Sequence, residues 1–377
     1  MSKGLLNNLL TIAIVLGFIC NATITQFYPE IRALFILAVL ILACYKVMTY
    51  GKSQLLIYTA ILLLLSLFYA YYAIIDHFTD NAYLYCLILG MLVGDNIVFL
   101  KKILALLLII NFLIMLYEIS SQEYFITIVA ANEFEPGRYQ GLFSYSKEAS
   151  YFLVSTFLLF RHLGTSLSIN LIFLMSSVLT GSRTSMIFIG FILVIDLFIK
   201  TDYRTIVKKH KFKYMFFSFI VFPQLLGYMK VYFKENFIIY NRIMQSFDTQ
   251  SSGHLDRSYY FNQYVNYIQE YNIIEFFIGK GGFVGAEVGN GSENTWLTLY
   301  AETGLIGFLI YLIPMLYVSF QSLKKFNKYY PFILLIILMF FGRIALGWAD
   351  GILLWSLISY IIYFSKKNYE ATYIHTV

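Results

Sequence analysis

Charged residues and cysteines are scarce in this sequence of 377 residues. Only 13% of the residues are charged, against about a quarter in an ordinary soluble domain, and only three are cysteines. Cys20, Cys44 and Cys86 lie inside apolar runs without the spacing of metal ligands, which favours a role as small apolar filler. The composition excludes a soluble enzyme, a coiled coil, a disordered tail and a secreted disulfide scaffold.

Several motifs that would carry known chemistries are also absent. No Asp-x-Asp pair occurs, so a divalent metal ion holding a diphosphate is not expected. The five histidines are scattered, and no pair of them has the spacing of metal ligands. There is no Walker loop and no GxSxG motif. We therefore predict a site without a metal ion or another cofactor. No nucleic-acid partner is predicted, because the location of the basic residues explains the net charge of +6.

Apolar residues dominate the chain. They make up 59% of it, mean hydropathy is +0.71, and apolar runs of about 20 residues recur from end to end. We predict an all-α fold, with residues 1–377 forming a single integral membrane domain: a polytopic transmembrane helical bundle of about 12 spans. The predicted spans are 4–22, 32–49, 53–75, 82–100, 103–120, 149–164, 167–182, 184–200, 212–233, 294–320, 330–347 and 351–365. The first span follows Lys3 without a small-residue cleavage site and is predicted to be an uncleaved anchor.

The positions of the basic residues predict the orientation. Threading the spans places 17 of the 27 basic residues on one side, which the positive-inside rule makes cytoplasmic, with both termini inside. Lysine produces this bias, whereas six of the eight arginines fall outside. They are Arg32, Arg138, Arg183, Arg242, Arg257 and Arg343.

Two connections are long, and the threading places both outside. They cover residues 121–148 and 234–293, and loops of this length are usually functional or disordered. Because the second is rich in aromatic and aliphatic residues, we predict that it folds onto the membrane surface. Within it, Asp256–Phe277 is predicted to be an amphipathic helix at the interface.

Glycine and polar residues interrupt the apolar pattern in three outer segments, which cover residues 138–150, 181–185 and 279–294. Each leads into a helix whose N-terminus is predicted to face the outer leaflet. A helix N-terminus presents free N–H groups and partial positive charge, which suits an anion. Ser182 and Ser292 are candidate N-caps.

The arginines and carboxylates of these segments are candidate site residues. Arginine binds phosphate oxygens with a planar fork, although any single arginine could instead reach toward lipid headgroups. Glu148 and Glu293 lie in the first turn of a helix, where simple capping is the alternative. Glu302 follows Asn294 and Thr298 at four-residue steps, and an ionisable group at that depth is a functional candidate, with a structural pair as the alternative.

These segments resemble the superfamily of bacterial O-antigen polymerases (Wzy type) and O-antigen ligases. The similar stretches are Arg138-Tyr-Gln-Gly-Leu-Phe-Ser, Leu179-Thr-Gly-Ser-Arg-Thr-Ser, Glu293-Asn-Thr-Trp-Leu and Ala301-Glu-Thr-Gly-Leu-Ile-Gly. Arg242, followed after ten residues by Gly253, is similar to the RX10G pattern of such loops. Twelve spans with a large outer loop fit as well, so the resemblance covers essentially the whole chain.

The resemblance implies a GT-C-type glycosyltransferase in the bacterial inner membrane, acting on undecaprenyl-pyrophosphate-linked sugars at the periplasmic face. The expected activity is polymerisation of repeat units into O-antigen or capsular polysaccharide, as in lipopolysaccharide biosynthesis. The expected partners are the lipid-linked glycan donor and acceptor, membrane lipid and a chain-length regulator.

Combined with the residues, this gives each candidate an expected role. The donor pyrophosphate would bind Arg183, Arg242 and Arg257, with Arg138 positioning donor or acceptor. The catalytic base would be Glu293, with Glu148 as second choice. The sugars would be oriented by Tyr139 and Asn294, and Glu302 is a further candidate for substrate binding.

Two alternatives remain at this point. One is an O-antigen ligase, which transfers finished polymer to the lipid A core. Ligases of the superfamily carry a histidine where this sequence has Glu293, which favours the polymerase and leaves open which residue is the base. The other is a lipid-linked oligosaccharide flippase or transporter. Such proteins usually show internal repeats and midplane binding residues, and the sequence shows no convincing repeat.

Overall fold

The computed structural model describes residues 2–23, 39, 41–46, 48, 82–125, 138–143, 145–200, 252–281, 284, 288, 294–323, 325–342 and 348–364. These residues form helices, turns and loops, and no strand occurs among them. The predicted all-α class is therefore confirmed for this part of the chain.

The helices are numbered here in chain order. They are α1 (Lys3–Thr23), α2 (Ala82–Val93), α3 (Ile97–Ser121), α4 (Ser146–Leu163), α5 (Leu167–Leu179), α6 (Arg183–Lys200), α7 (Ser252–Gln269), α8 (Ile273–Ile278), α9 (Thr295–Phe320), α10 (Phe326–Leu338) and α11 (Trp348–Ser359). A 3₁₀ turn at Gly94–Asn96 joins α2 to α3, and a π-helical turn at Tyr360–Phe364 follows α11.

Among the described residues, two helical stretches, Leu89–Ser121 and Thr295–Phe320, are long and apolar enough to cross a membrane. The predicted spans 53–75 and 212–233 lie outside the described residues, as does most of 32–49. The number of twelve spans and their sidedness therefore stay predictions.

The interruption between the fourth and fifth predicted spans falls at residues 94–96 and not at 101–102, where the sequence analysis placed it. Polar contacts explain the position. The Asp95 carboxylate accepts hydrogen bonds from Lys46 at 2.7 Å and from Asn7 at 3.1 Å. The Asn96 amide donates to Asn8 and Thr11, each at 3.0 Å. Asp95 and Asn96 themselves interrupt the apolar run, a local signal that the sequence analysis overlooked, whereas their partners are distant in sequence.

The predicted surface helix Asp256–Phe277 is two helices, α7 and α8, separated by residues 270–272. The side chain of Asn272 accepts hydrogen bonds from the N–H groups of Ile274 and Glu275, while the Glu275 carboxylate accepts from the N–H of Asn272. This capping box starts a new helix where one continuous helix was expected. Ile273 of α8 is 80% exposed, which leaves an apolar side chain on the outside of the protein.

The centre of the bundle is α11, whose residues 350–359 are all buried. Helix α2 approaches it closely because glycine lies at the contact. A Cβ atom at Gly90 would lie 2.4 Å from the Trp355 Cβ, and one at Gly94 would lie 2.8 Å from the Ser359 Oγ. Small residues of this kind let two helix backbones approach each other in a membrane bundle.

Polar contacts tie the helices together at one end of the bundle, which we call the opposite end. There Arg161 near the end of α4 donates two hydrogen bonds to Asp196 of α6, at 2.9 and 2.7 Å. The Tyr330 hydroxyl of α10 donates to the same carboxylate at 3.0 Å. Lys101 near the start of α3 donates to the carbonyl of Gly164. The starts of α4, α6 and α9 and the ends of α3 and α5 lie at the other end, which we call the site end.

Candidate functional site

The first polar segment is held by two side chains of α3. Glu118 Oε2 accepts hydrogen bonds from the backbone N–H groups of Gln140 and Gly141 at 3.0 and 3.1 Å. Asn111 Oδ1 accepts from the N–H of Leu142 at 2.8 Å. Both α3 side chains are fully buried. Residues 140–142 are therefore fixed to α3 through their backbone.

Gly141 allows residues 140–142 to lie against α3 for two reasons, its backbone conformation and its lack of a side chain. Its φ is +62°, a left-handed conformation that glycine adopts without strain. A Cβ atom there would lie only 2.3 Å from Asn111 Oδ1. Both the left-handed φ and the close approach to α3 therefore require glycine at position 141.

Two hydrogen bonds bring the first and second polar segments together. The N–H of Tyr139 donates to the carbonyl of Leu179, the last residue of α5, at 3.0 Å. The Ser150 hydroxyl near the start of α4 donates to the Ser182 hydroxyl at 2.8 Å. Arg138 therefore lies at the site end beside the turn that carries Arg183.

The second segment is a tight turn between α5 and α6. Gly181 has φ +60°, and the N–H of Ser182 donates to Thr180 Oγ1 at 3.4 Å. Arg183, the first residue of α6, is partly buried, whereas Arg138 is exposed. Ser182 was expected to cap α6, and the hydrogen bond described for its hydroxyl joins it to Ser150 of α4.

The third segment begins at a close contact between two glycines. The backbone of α9 leaves the helical conformation at Gly304, where φ is +62° and ψ is −167°, and Gly279 has φ +79°. A Cβ atom at Gly304 would lie 2.5 Å from the Gly279 nitrogen, and one at Gly279 would lie 2.5 Å from the Gly304 nitrogen. We call this contact the glycine pair; it brings two backbones together without a side chain between them.

The glycine pair places hydrogen-bond donors where the break in α9 needs them. A break in a helix leaves the carbonyl groups before it without their usual partners. The carbonyl of Ala301 accepts from the N–H of Lys280 at 3.1 Å and from the Tyr271 hydroxyl at 2.6 Å, and the carbonyl of Glu302 accepts from the N–H of Gly281 at 2.8 Å. Residues 279–281 therefore complete the hydrogen bonding of the broken helix.

Lys280 has further partners on the surface helices. Its ammonium group lies 4.4 Å from the centre of the Tyr267 ring and 5.4 Å from that of Tyr271, within the range of cation–π contact. It also lies 3.6 Å from the Glu275 carboxylate. These contacts join α7 and α8 to the loop that supports α9.

Asn294 begins α9. Its side-chain oxygen accepts from the N–H of Leu297 at 3.0 Å, so it is the N-cap, a role that the sequence analysis gave to Ser292. The N–H of Thr295 donates to the carbonyl of Met339 at 2.8 Å, just after α10. Because α10 begins at the opposite end, this contact places the start of α9 at the site end, together with the other two segments.

The polar stripe of α9 lies inside the protein. Thr298 is fully buried, and Glu302, two residues before the break at Gly304, is 2% exposed. Tyr139 of the first segment is 8% exposed. Glu148 lies in the first turn of α4 and is exposed at the site end.

The structure does not describe the side chains of several predicted site residues. Glu293, Arg242 and Ser292 lie outside the described residues. Arg257 belongs to α7, but its side chain is not among those described. Of the four arginines predicted to bind the substrate, the structure therefore describes the side chains of Arg138 and Arg183, whose segments meet.

Sequence reasoning missed Glu118 and Asn111. Both lie inside the apolar run that predicts the fifth span, where an acidic or amide side chain is rare enough to mark a candidate. That signal was available. What the sequence does not show is the partner, because Glu118 and Asn111 bind backbone N–H groups, which almost every residue carries.

Within the described ranges, no group of three or more His, Cys, Asp or Glu side chains is placed to hold a metal ion. The described residues of the site end carry guanidinium, carboxylate, hydroxyl and backbone N–H groups. Comparison with known proteins returns no match: no family model, no curated protein and no solved structure matches this chain.

Proposed function

We propose that this protein is a glycosyltransferase that polymerises undecaprenyl-pyrophosphate-linked oligosaccharide repeat units into O-antigen or capsular polysaccharide. The reaction takes place at the periplasmic face of the bacterial inner membrane, without a metal ion. The proposal rests on the resemblance of the polar segments to the polymerase superfamily and on the way these segments meet.

The observation that carries the proposal is the junction of the first two segments. Hydrogen bonds from Tyr139 to Leu179 and from Ser150 to Ser182 hold the Arg138 segment beside the Arg183 turn. Two guanidinium groups carried by adjoining segments suit a pyrophosphate, because each can offer a pair of hydrogen bonds to phosphate oxygens. The N-terminus of α6 adds partial positive charge at the same place.

In this proposal a hydroxyl of the acceptor sugar attacks the anomeric carbon of the donor. The bond between that carbon and the pyrophosphate oxygen breaks, and undecaprenyl pyrophosphate leaves. Negative charge grows on the leaving group and is stabilised by Arg183, Arg242 and Arg257, while Arg138 positions a substrate phosphate.

The proton of the attacking hydroxyl passes to a carboxylate. We assign this role to Glu293, with Glu148 as the second choice because it is exposed at the site end. The sugars are oriented by Tyr139 and Asn294, and Glu302 contributes to substrate binding from the polar stripe of α9. The product is a chain that is longer by one repeat unit and linked to the lipid carrier of the acceptor.

Two measurements test the function. A strain that lacks the gene is expected to carry single repeat units on its surface lipid, whereas loss of a ligase would leave the surface lipid without any repeat unit. The purified protein in detergent is expected to elongate lipid-linked units, although no membrane is present to be crossed. If the deletion strain still makes polymer and the purified protein does not elongate lipid-linked units, the protein is not a polymerase.

A further inference from the structure

The ends of one long outer connection meet at a single buried carboxylate. Glu118 Oε1 accepts from the N–H of Phe125 at 3.2 Å, while its Oε2 accepts from those of Gln140 and Gly141. Glu118 is fully buried near the end of α3. One side chain therefore joins the chain just after α3 to the chain just before α4.

A carboxylate suits this arrangement better than any other side chain of its size. It offers two acceptor oxygens and no donor, so it can serve three N–H groups that approach from two directions. A glutamine has one acceptor oxygen, and its NH₂ group would face an N–H group on the other side. A buried charge that is bonded to three N–H groups also avoids the large cost of an unpaired charge.

The segment held by Glu118 carries Arg138. Gln140 and Gly141 are bonded to Glu118, Leu142 is bonded to Asn111, and Tyr139 is bonded to the end of α5. Four consecutive backbone N–H groups, from 139 to 142, are thus fixed by two helices. Arg138 is exposed and immediately precedes them, so its backbone position depends on these bonds.

We infer that Glu118 is a positioning residue that, together with Asn111, fixes Arg138 at the place where it meets the phosphate of a lipid-linked substrate. This inference rests on the proposed function for the role of Arg138. The bonds of Glu118 to the backbone can be tested without it.

The first experiment follows hydrogen exchange of the full-length protein in detergent by mass spectrometry. The backbone N–H groups of 140–141 or of Phe125 are expected to exchange faster in Glu118→Gln than in the wild type. Glu123→Gln is the matched control, because it removes the same charge from an exposed position nearby. Exchange that is unchanged in Glu118→Gln would overturn the inference.

The second experiment is a double-mutant cycle on elongation of lipid-linked units. Glu118→Gln is expected to lower kcat/KM by about 10- to 100-fold, mainly through KM, because a misplaced group binds substrate poorly. If Glu118 acts through Arg138, the double variant Glu118→Gln, Arg138→Ala loses no more than Arg138→Ala alone. Losses that multiply would indicate a general structural role and would overturn the inference.

Asn111→Ala provides a second variant in case Glu118→Gln does not fold. It removes one hydrogen bond to the same segment and is expected to be non-additive with Arg138→Ala as well. If the wild type elongates while Glu118→Gln or Arg138→Ala is fully active, the positioning role is wrong and the proposed function stands. If the wild type does not elongate, the proposed function fails, and hydrogen exchange still decides whether Glu118 holds the segment.

Discussion

At the residue scale, the side chains at the site end are of two kinds. Glu118, Asn111 and Asn294 accept hydrogen bonds from backbone N–H groups and so determine where the chain runs. Arg138 and Arg183 bring positive charge to the two segments that meet. The first kind determines geometry, and the second is the kind on which the proposed phosphate binding depends.

Replacing Arg183 by lysine tests the second kind. A lysine keeps the positive charge but lacks the planar fork that binds two phosphate oxygens at once. We expect Arg183→Lys to lower the rate of elongation by about 100-fold, with a normal amount of protein in the membrane. Surface polysaccharide, sized on a gel from a strain that carries only the variant, reports the loss.

Lys102→Arg is the matched control for this exchange of basic groups. Lys102 is exposed near the start of α3, at the opposite end of the bundle, so its exchange is expected to leave the polymer unchanged. Polymer of full length from Arg183→Lys would contradict the assigned role of Arg183.

At the scale of helices, α9 is the element whose structure departs most from its sequence pattern. Its apolar pattern resumes directly after Glu302, Thr303 and Gly304, and the sequence analysis therefore predicted one span over 294–320. The break at Gly304 depends on Gly279, a residue in a different part of the chain, whose loop supplies the hydrogen bonds for Ala301 and Glu302. Local periodicity cannot report a contact of this kind.

Gly304→Ala tests the break. The new methyl group would lie 2.4 Å from the Phe277 carbonyl carbon and would also force a left-handed φ on alanine. We expect a loss of about 3 kcal/mol in the free energy of unfolding, since backbone strain and overpacking combine. Unfolding of the purified protein in detergent with increasing denaturant measures the loss.

Gly190→Ala is the control for the same chemical change. Gly190 lies inside α6, and nothing within 4 Å would meet its Cβ atom. Alanine is favoured over glycine inside a helix by about 0.5 to 1 kcal/mol, so this variant is expected to be as stable as the wild type or more stable. Equal effects of the two variants would contradict the described contact of Gly304.

At the scale of the whole molecule, the two ends differ in their contacts. At the opposite end, Arg161 pairs with Asp196 and Lys101 bonds to Gly164. The threading from sequence places these basic residues on the cytoplasmic side. The polar segments lie at the site end, which the same threading places outside.

Labelling of single cysteines tests this sidedness. In a background without Cys20, Cys44 and Cys86, Tyr145→Cys lies exposed at the site end and Lys102→Cys lies exposed near the opposite end. In intact spheroplasts, a maleimide that cannot cross the membrane is expected to label Tyr145→Cys and to spare Lys102→Cys until the cells are opened. The reverse pattern would invert the proposed topology and place the site in the cytoplasm.

The sequence predicted the helices well where their cause is local. The bounds of α1, α4, α5 and α6 lie within a few residues of the predicted spans, because about 20 apolar residues in a row admit few other structures. It also placed Gly141 and Gly181 in outer segments where glycine and polar residues interrupt the apolar pattern. It could not predict how these glycines are used, since each depends on a partner that is distant in sequence or on a backbone group.

The glycine pair also limits which substitutions this protein can accept during evolution. Where two side chains touch, a larger residue on one side can be accommodated by a smaller one on the other. Between Gly279 and Gly304 there is no side chain left to shorten, because backbone faces backbone. A substitution at either position therefore has no compensating change at its partner, and each glycine is required as long as the contact is kept.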